Sequence, residues 1–111
     1  MSARELRRVR SNLNIKFNTE PQKIEQFVTG IKDIIVKNEY TNKKKFRVVF
    51  NDFTTTGLDI LVSFFLKVPD NQIEQRERHN IMMAILTLAE SIGIEFSAPG
   101  ANPDNGKKPI G

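Results

Sequence analysis

The sequence has no cysteine and no tryptophan, and His79 is its only histidine. Without cysteine there can be no disulfide bond, no thiolate zinc site and no cysteine nucleophile. There is also no apolar run of the roughly 18 residues that a membrane-spanning helix needs, and the basic N-terminus lacks the apolar stretch of a signal peptide. We therefore expect the chain as given to be soluble.

The net charge of +4 comes from the two ends of the chain. Residues 1–10 carry four arginines and one glutamate, and residues 100–111 carry two lysines and one aspartate. Residues 11–99 hold eleven basic and eleven acidic residues and have no net charge. Because nucleic-acid-binding domains usually concentrate lysine and arginine on one face, this balance argues against a nucleic-acid partner.

Apolar residues recur with strand and helix periods through the first half of the chain. Residues 12–18 alternate between apolar and polar, which predicts a strand. A helix then starts, either from a capping box of Thr19 and Gln22 or with Pro21 as its first helical residue. Its apolar face has helical spacing. The residues of this face are Ile24, Phe27, Val28, Ile31, Ile34 and Ile35.

The second half of the chain predicts three more strands and a second helix. Residues 46–53 and 58–68 form two strands joined by a short turn at residues 54–57. Residues 70–91 form the helix, which Gly93 ends as a left-handed residue. Residues 94–96 alternate as a short last strand.

The predicted order β-α-β-β-α-β is that of the ferredoxin-like α+β fold. In this fold two right-handed crossovers place both helices on one face of a four-stranded antiparallel sheet. We expect a single domain over residues 11–99, preceded by a basic linker at residues 1–10. Residues 100–111 are rich in glycine, proline and asparagine, which predicts a disordered tail.

No combination of side chains points to catalysis, a cofactor or a metal. The sequence offers no nucleophile with a base, no paired acid and base, and no metal ligands at workable spacing. His79 lies in the charged early part of the second helix, where an exposed structural residue is the simpler interpretation. Asn51 and Asp52 precede a turn, where such side chains mostly bond to local backbone groups. We therefore expect no enzyme activity and no cofactor.

RNA binding is an alternative, because the RNA recognition motif has the same topology. The third strand of that motif carries a basic residue and glycine among stacking aromatic residues. Residues 58–65 here are Leu-Asp-Ile-Leu-Val-Ser-Phe-Phe, with neither of these features. RNA binding therefore rests on topology alone.

An apolar strip is expected outside the core. If Val48 and Ile60 and their alternate neighbours face the helices, then Val49, Leu61 and Phe65 face away from them. Apolar residues on two neighbouring strands favour a subunit or domain contact over scattered surface residues. We therefore predict that these three residues make such a contact.

Three segments carry short motifs in a recognisable order. Residues 4–8 are Arg-Glu-Leu-Arg-Arg and lead into Asn-Ile-Lys-Phe-Asn-Thr-Glu at residues 14–20. Residues 50–60 hold an asparagine-containing turn before the long third strand, and residues 92–99 are Ile-Gly-Ile-Glu-Phe-Ser-Ala-Pro. Together they resemble the C-terminal domain of MscS-type mechanosensitive channels, from its Arg-Glu-x-x-Arg-Arg junction with a preceding β domain to its Gly-Ile-x-Phe-x-x-Pro ending.

The resemblance implies a homoheptameric channel that opens on osmotic shock and whose membrane helices precede this segment. Seven copies would wall a vestibule with side portals at the cytoplasmic face of the inner membrane, as a non-catalytic scaffold. Contact with the membrane would be made by the preceding helices alone. Arg4 and Glu5, at the junction, would border a portal, where their charge biases which ions enter.

The sequence departs from this family at residues 100–106. The family often continues there into a strand that closes a small β-barrel, but this composition cannot alternate as a strand. Without a barrel the isolated domain has a monomeric alternative, because a small apolar strip rarely supplies an interface of about 1,000 Å². The alternative function is a stand-alone ferredoxin-like module that binds a partner through Val49, Leu61 and Phe65.

Overall fold

The computed structural model describes the backbone of residues 5–97 and the side chains of residues 6–97. The predicted tail from residue 100 lies outside the described residues. Within them the chain forms three strands and two helices in the order β-α-β-β-α. Their bounds are β1 Glu5–Ile15, α1 Pro21–Lys37, β2 Thr41–Phe53, β3 Leu58–Val68 and α2 Asn71–Ile92.

Strand β3 is the centre of an antiparallel sheet with the order β1-β3-β2. Strand β1 pairs with it over its full length, from Glu5 opposite Val68 to Ile15 opposite Leu58. It therefore begins inside the segment predicted as a linker and ends at Ile15 rather than at residue 18. The long β3 accounts for this difference, because the buried backbone groups along its whole length need a partner.

The predicted last strand is reduced to a single bridge between Phe96 and Ile15. A backbone hydrogen bond from Lys16 N to Glu95 O (3.0 Å) adjoins it. The chain turns directly after Ile15, with Thr19 N bonded to Lys16 O (3.1 Å), so residues 94 and 95 find no strand partners. On the other side of the bridge, Ser97 N bonds to Asn14 O (2.8 Å). The expected four-stranded sheet is therefore three-stranded over residues 5–97. The Lys16 and Glu95 side chains also pair (2.8 Å), and this hydrogen bond lowers the pKa of Glu95.

Helix α1 starts at Pro21, and Glu20 is its N-cap residue without any side-chain cap bond. The Thr19 hydroxyl donates instead to Lys16 O at 2.6 Å. The second of the two predicted helix starts, with Pro21 as the first helical residue, is therefore confirmed.

Helix α2 has a cap at each end. The Asp70 carboxylate accepts a hydrogen bond from Ile73 N at 2.9 Å, which satisfies one of the free N–H groups of the first turn. Gly93 ends the helix with φ 92° and ψ 29°, and its N–H bonds to Ala89 O. This left-handed termination confirms the predicted role of Gly93.

Both helices pack on one face of the sheet, and the core lies between them and β3. The helices approach each other at Gly30, where a Cβ atom would stand 2.5 Å from Leu88 Cδ2. In the described part of the chain, neither helix is long and apolar enough to cross a membrane. The largest fully buried side chains are Phe27, Phe64, Ile15, Ile31, Ile35, Ile60, Leu66, Ile81 and Ile85.

Candidate functional site

The sheet face that the helices leave uncovered, called the open face below, consists of alternate residues of all three strands. The strand register aligns these residues in rows across the sheet, with neighbouring side chains about 5 Å apart. The two central rows are Asn12, Leu61 and Val49, and then Arg10, Ser63 and Arg47.

The structure places all three predicted contact residues on the open face, but they do not form one continuous strip. Val49 and Leu61 are partners across β2 and β3, with 37% and 7% of their surfaces exposed. Phe65 is half-buried, and Ser63 separates it from Leu61 along β3. Its partner on β1 is Arg8, so a cation stands beside this aromatic ring.

A satisfied carboxylate occupies one end of the open face. Asp59 is buried, and its oxygens accept hydrogen bonds from Asn12 Nδ2 (3.0 and 3.2 Å) and Asn51 Nδ2 (2.9 Å). Asp52 accepts one from the backbone N–H of Phe53 at 2.8 Å. The predicted bonding to local backbone groups is confirmed for Asp52 but is wrong for Asn51, which donates to a side chain on the next strand.

The turn between β2 and β3 is tied to the end of β1. Asn14 donates to the Thr54 hydroxyl (3.0 Å) and accepts from the Thr56 hydroxyl (3.1 Å). Gly57 passes so close to β1 that a Cβ atom there would stand 2.3 Å from Ile15 O. The Thr-Thr-Thr-Gly turn that carried part of the family resemblance is therefore a structural junction.

An apolar groove lies between α1 and the edge strand β2, a feature that the sequence analysis missed. Its volume is about 620 Å³. Phe53 is 69% exposed and packs edge-on against Phe50 with ring centroids 5.2 Å apart. Alternation predicts which strand face a residue occupies but not that α1 stops short of covering the edge. The main apolar lining residues are Phe17, Ile24, Val28, Val49, Phe50 and Phe53.

The ionisable residues of α2 do not converge on a reactive centre. His79 is exposed. Glu77 is buried and accepts hydrogen bonds from Asn38 Nδ2 (3.0 Å) and Arg76 Nε (3.1 Å), and this contact raises the pKa of Arg76. Among the described residues, no three histidine, cysteine or acidic side chains lie together as metal ligands would.

The two portal residues predicted from the resemblance stand at the limit of the described chain. Glu5 is the first residue of β1, and Arg4 lies outside the described residues. The strand thus places Glu5 at the outer end of β1, opposite Val68 at the end of β3.

The fold is therefore an α+β domain in which two helices cover one face of a three-stranded antiparallel sheet. A family model described as "Mechanosensitive ion channel MscS, C-terminal" matches residues 9–96, from within β1 to the bridge residue Phe96. The chain belongs to this family, which is one of mechanosensitive channels and not of enzymes.

Individual relatives agree with the family match. An uncharacterized MscS family protein of Aquifex aeolicus is 24% identical over 97 residues, which are 86% of this chain and 26% of that protein. Two solved channels share the fold. A variant of Arabidopsis thaliana MSL1 has a TM-score of 0.74 and 10% identity, with 84% of this chain and 35% of that chain covered. Helicobacter pylori MscS in its closed state has a TM-score of 0.64 and 18% identity, with 91% and 39% covered.

Proposed function

We propose that this chain serves as a cytoplasmic vestibule domain of a mechanosensitive channel that releases solutes on osmotic shock. The observation that carries the proposal is the family match over residues 9–96, which spans nearly all of the described structure. Because the chain corresponds to 26% of the length of its Aquifex relative, membrane helices would belong to other parts of the channel. The role of the domain is that of a non-catalytic scaffold and portal wall.

Assembly into a homoheptamer would place the open face or the sheet edge against a neighbouring copy. Val49, Leu61 and Phe65 are proposed as contact residues. Val49 supports this best, because it is exposed and lies both on the open face and beside the apolar groove. Leu61 is nearly covered within its own domain, so it would support its neighbours more than touch a partner. A lone domain remains monomeric if this surface falls short of about 1,000 Å².

Arg4 and Glu5 are proposed to border a side portal, as charged groups at the entrance of β1. A charge at a narrow opening raises the local concentration of ions of opposite sign and so biases which ions pass. Recordings from the parent channel with Glu5→Lys test this role. A changed ratio of anion to cation conductance is expected, and an unchanged ratio removes the portal assignment.

The experiment that tests the proposed function is fractionation of source cells, with an antibody against this domain and a record of apparent mass. A membrane-bound band clearly larger than 12.7 kDa is expected for a channel subunit. A soluble band near 12.7 kDa would instead establish the stand-alone interaction module, with the family fold but without the channel. The two outcomes exclude each other for the main cellular pool.

A further inference from the structure

Five cations, two from residues 1–10 and three from residues 11–99, surround a shallow depression at one end of the open face. The depression, called the basic depression below, has a volume of about 390 Å³. Its floor is formed by Leu61, Ser63 and Phe65 of β3. The cations at its rim are Arg8, Arg10, Lys44, Lys45 and Arg47.

Strand register builds the centre of this depression. Ser63 is paired with Arg10 on β1 and with Arg47 on β2, so a serine lies between two arginines in one row. The two outer strands are about 10 Å apart, which is two strand spacings. Arginine side chains that reach inward from both sides can therefore meet a single ligand above the hydroxyl.

An irregularity in β2 adds the two lysines. From Thr41 to Phe46 the strand advances five residues while its partner positions on β3 advance only two, from Leu66 to Phe64. Asn42 stabilises the local turn of these extra residues, because its Oδ1 accepts hydrogen bonds from the backbone N–H groups of Lys44 (2.9 Å) and Lys45 (3.1 Å). Irregularities of this kind redirect side chains, and this one turns two lysines toward the depression.

Among the side chains that the structure describes, the cations of the rim have no partner of opposite charge. No carboxylate whose side chain the structure describes lies within salt-bridge distance of any of the five. The nearest acid of the open face along β3 is Asp59, four residues from Ser63 and thus about 13 Å away. Its oxygens are already bonded to Asn12 and Asn51. Mutual repulsion of the five cations is therefore uncompensated within the described structure.

We propose that the basic depression binds a small anion that carries two or three linked phosphate groups. Arginine forks match phosphate oxygens in pairs of hydrogen bonds, lysines add point charges, and the Ser63 hydroxyl can donate from below. The number of cations favours several negative charges over one. A small anion is favoured because the volume of the depression is only about 390 Å³. Asp59 and Asp52, at the other end of the same face, would also repel a longer phosphate backbone.

The test uses inorganic tripolyphosphate and the 111-residue chain, with calorimetry and thermal unfolding at constant ionic strength. Tripolyphosphate is expected to bind at least about 10-fold more tightly than monophosphate, which has fewer charges to pair. It should raise the unfolding midpoint where sodium chloride of equal ionic strength does not. Equal affinity for tripolyphosphate and monophosphate overturns the proposal. Tighter binding of a single-stranded oligonucleotide than of tripolyphosphate also overturns it.

Two double variants with equal loss of charge locate the site. Arg10→Gln with Arg47→Gln removes both guanidinium groups beside Ser63 and is expected to weaken tripolyphosphate binding by about 10-fold or more, because charge-assisted contacts are lost. Lys32→Gln with Arg78→Gln removes two exposed helix cations and should leave affinity unchanged. All four residues are exposed, so circular dichroism should show both variants folded. If both double variants weaken tripolyphosphate binding equally, the assignment of the site to the basic depression is wrong.

Two sources could supply such phosphates, a free metabolite or a lipid headgroup. Vesicles that contain a lipid with a bisphosphorylated headgroup distinguish them, and displacement of the chain from these vesicles by tripolyphosphate assigns the lipid source. Absence of vesicle binding assigns the free anion, and either result retains the phosphate chemistry. The measurement is made on the chain alone and is therefore independent of whether the parent protein is a channel.

Discussion

At the scale of single residues, Gly57 is required by its surroundings rather than by its backbone angles. An added methyl group would stand 2.3 Å from Ile15 O and 2.5 Å from both Asn14 Oδ1 and Ser97 Oγ. The carbonyl belongs to the end of β1, which is held by the sheet and cannot move aside cheaply. Gly57→Ala is therefore expected to lower the free energy of unfolding by about 1–3 kcal/mol in urea denaturation.

Gly30→Ala is the matched control for Gly57. A Cβ atom there also meets a close neighbour at 2.5 Å, but this neighbour is the flexible end of Leu88. Alanine in a helix interior gains about 1 kcal/mol over glycine, which offsets the repacking. Gly30→Ala should thus change stability much less than Gly57→Ala. A larger loss in Gly30→Ala would show that the turn at Gly57 can shift to accommodate a methyl group, whereas the contact between the helices cannot.

Residue faces could largely be predicted from the sequence, whereas residue clusters could not. Alternation placed Val49, Leu61 and Phe65 on the open face, and the strand register agrees. The gathering of cations was hidden, because two of the five, Lys44 and Lys45, come from a β2 irregularity whose extra residues no periodic pattern reveals. A count of charge along the chain also divides the cluster, because Arg8 and Arg10 fall within residues 1–10 and the other three cations are averaged with distant acids in residues 11–99.

At the scale of elements, the two helices begin with different kinds of cap. Asp70 caps α2 with a hydrogen bond to Ile73 N, whereas Glu20 precedes α1 without one. Asp70→Ala should therefore cost about 1 kcal/mol of stability, which in a domain of this size lowers the thermal unfolding midpoint by roughly 4–8 °C.

Glu20→Ala is the control for this cap, since Pro21 already sets the start of α1 and no side-chain bond is lost. A change of a few tenths of a kcal/mol is expected for it. Circular dichroism during heating measures the loss of stability in each variant. Comparable losses in Asp70→Ala and Glu20→Ala would mean that the cap bond of Asp70 contributes little.

The sequence predicted the bounds of an element well where a turn, proline or cap residue ends it. It predicted them poorly where pairing with another strand decides the end. Strand β3 matches its prediction at both ends, since a Gly-containing turn precedes it and Pro69 follows. Gly93 and Asp70 likewise define α2. Strand β1 extends back to Glu5 because β3 offers it partners, and the last strand shrinks to a bridge because β1 ends at Ile15. The local sequence pattern predicts neither the early start of β1 nor the reduction of the last strand to a bridge.

At the scale of the whole molecule, the open face combines a basic end, an apolar middle and an acidic end. The middle row of Asn12, Leu61 and Val49 separates the cations around Ser63 from Asp59. A neighbouring copy that met this face would have to bury Leu61 and Val49 without burying unpaired charge, since a buried unpaired charge is strongly unfavourable. Contact through Val49 at the exposed β2 side satisfies this requirement better than contact centred on Phe65, which lies beside Arg8.

Charging these two positions in the parent channel tests which of them is buried between subunits. Val49→Glu is expected to weaken assembly of the detergent-solubilised protein by 2 kcal/mol or more per contact, roughly 30-fold, as for central interface residues. Phe65→Glu should also impair assembly, but less, because the new carboxylate can pair with Arg8.

Leu86→Glu, an exposed apolar position on α2, is the control that should assemble normally. Light scattering reports the mass of each variant, and circular dichroism of the 111-residue chain reports whether it folds. Normal mass for Val49→Glu would exclude it from the contact. Loss of folding in Phe65→Glu would instead assign Phe65 to the core of its own domain. If Leu86→Glu alone disrupts the oligomer, subunits meet through the helices, and the open face remains free to bind phosphate.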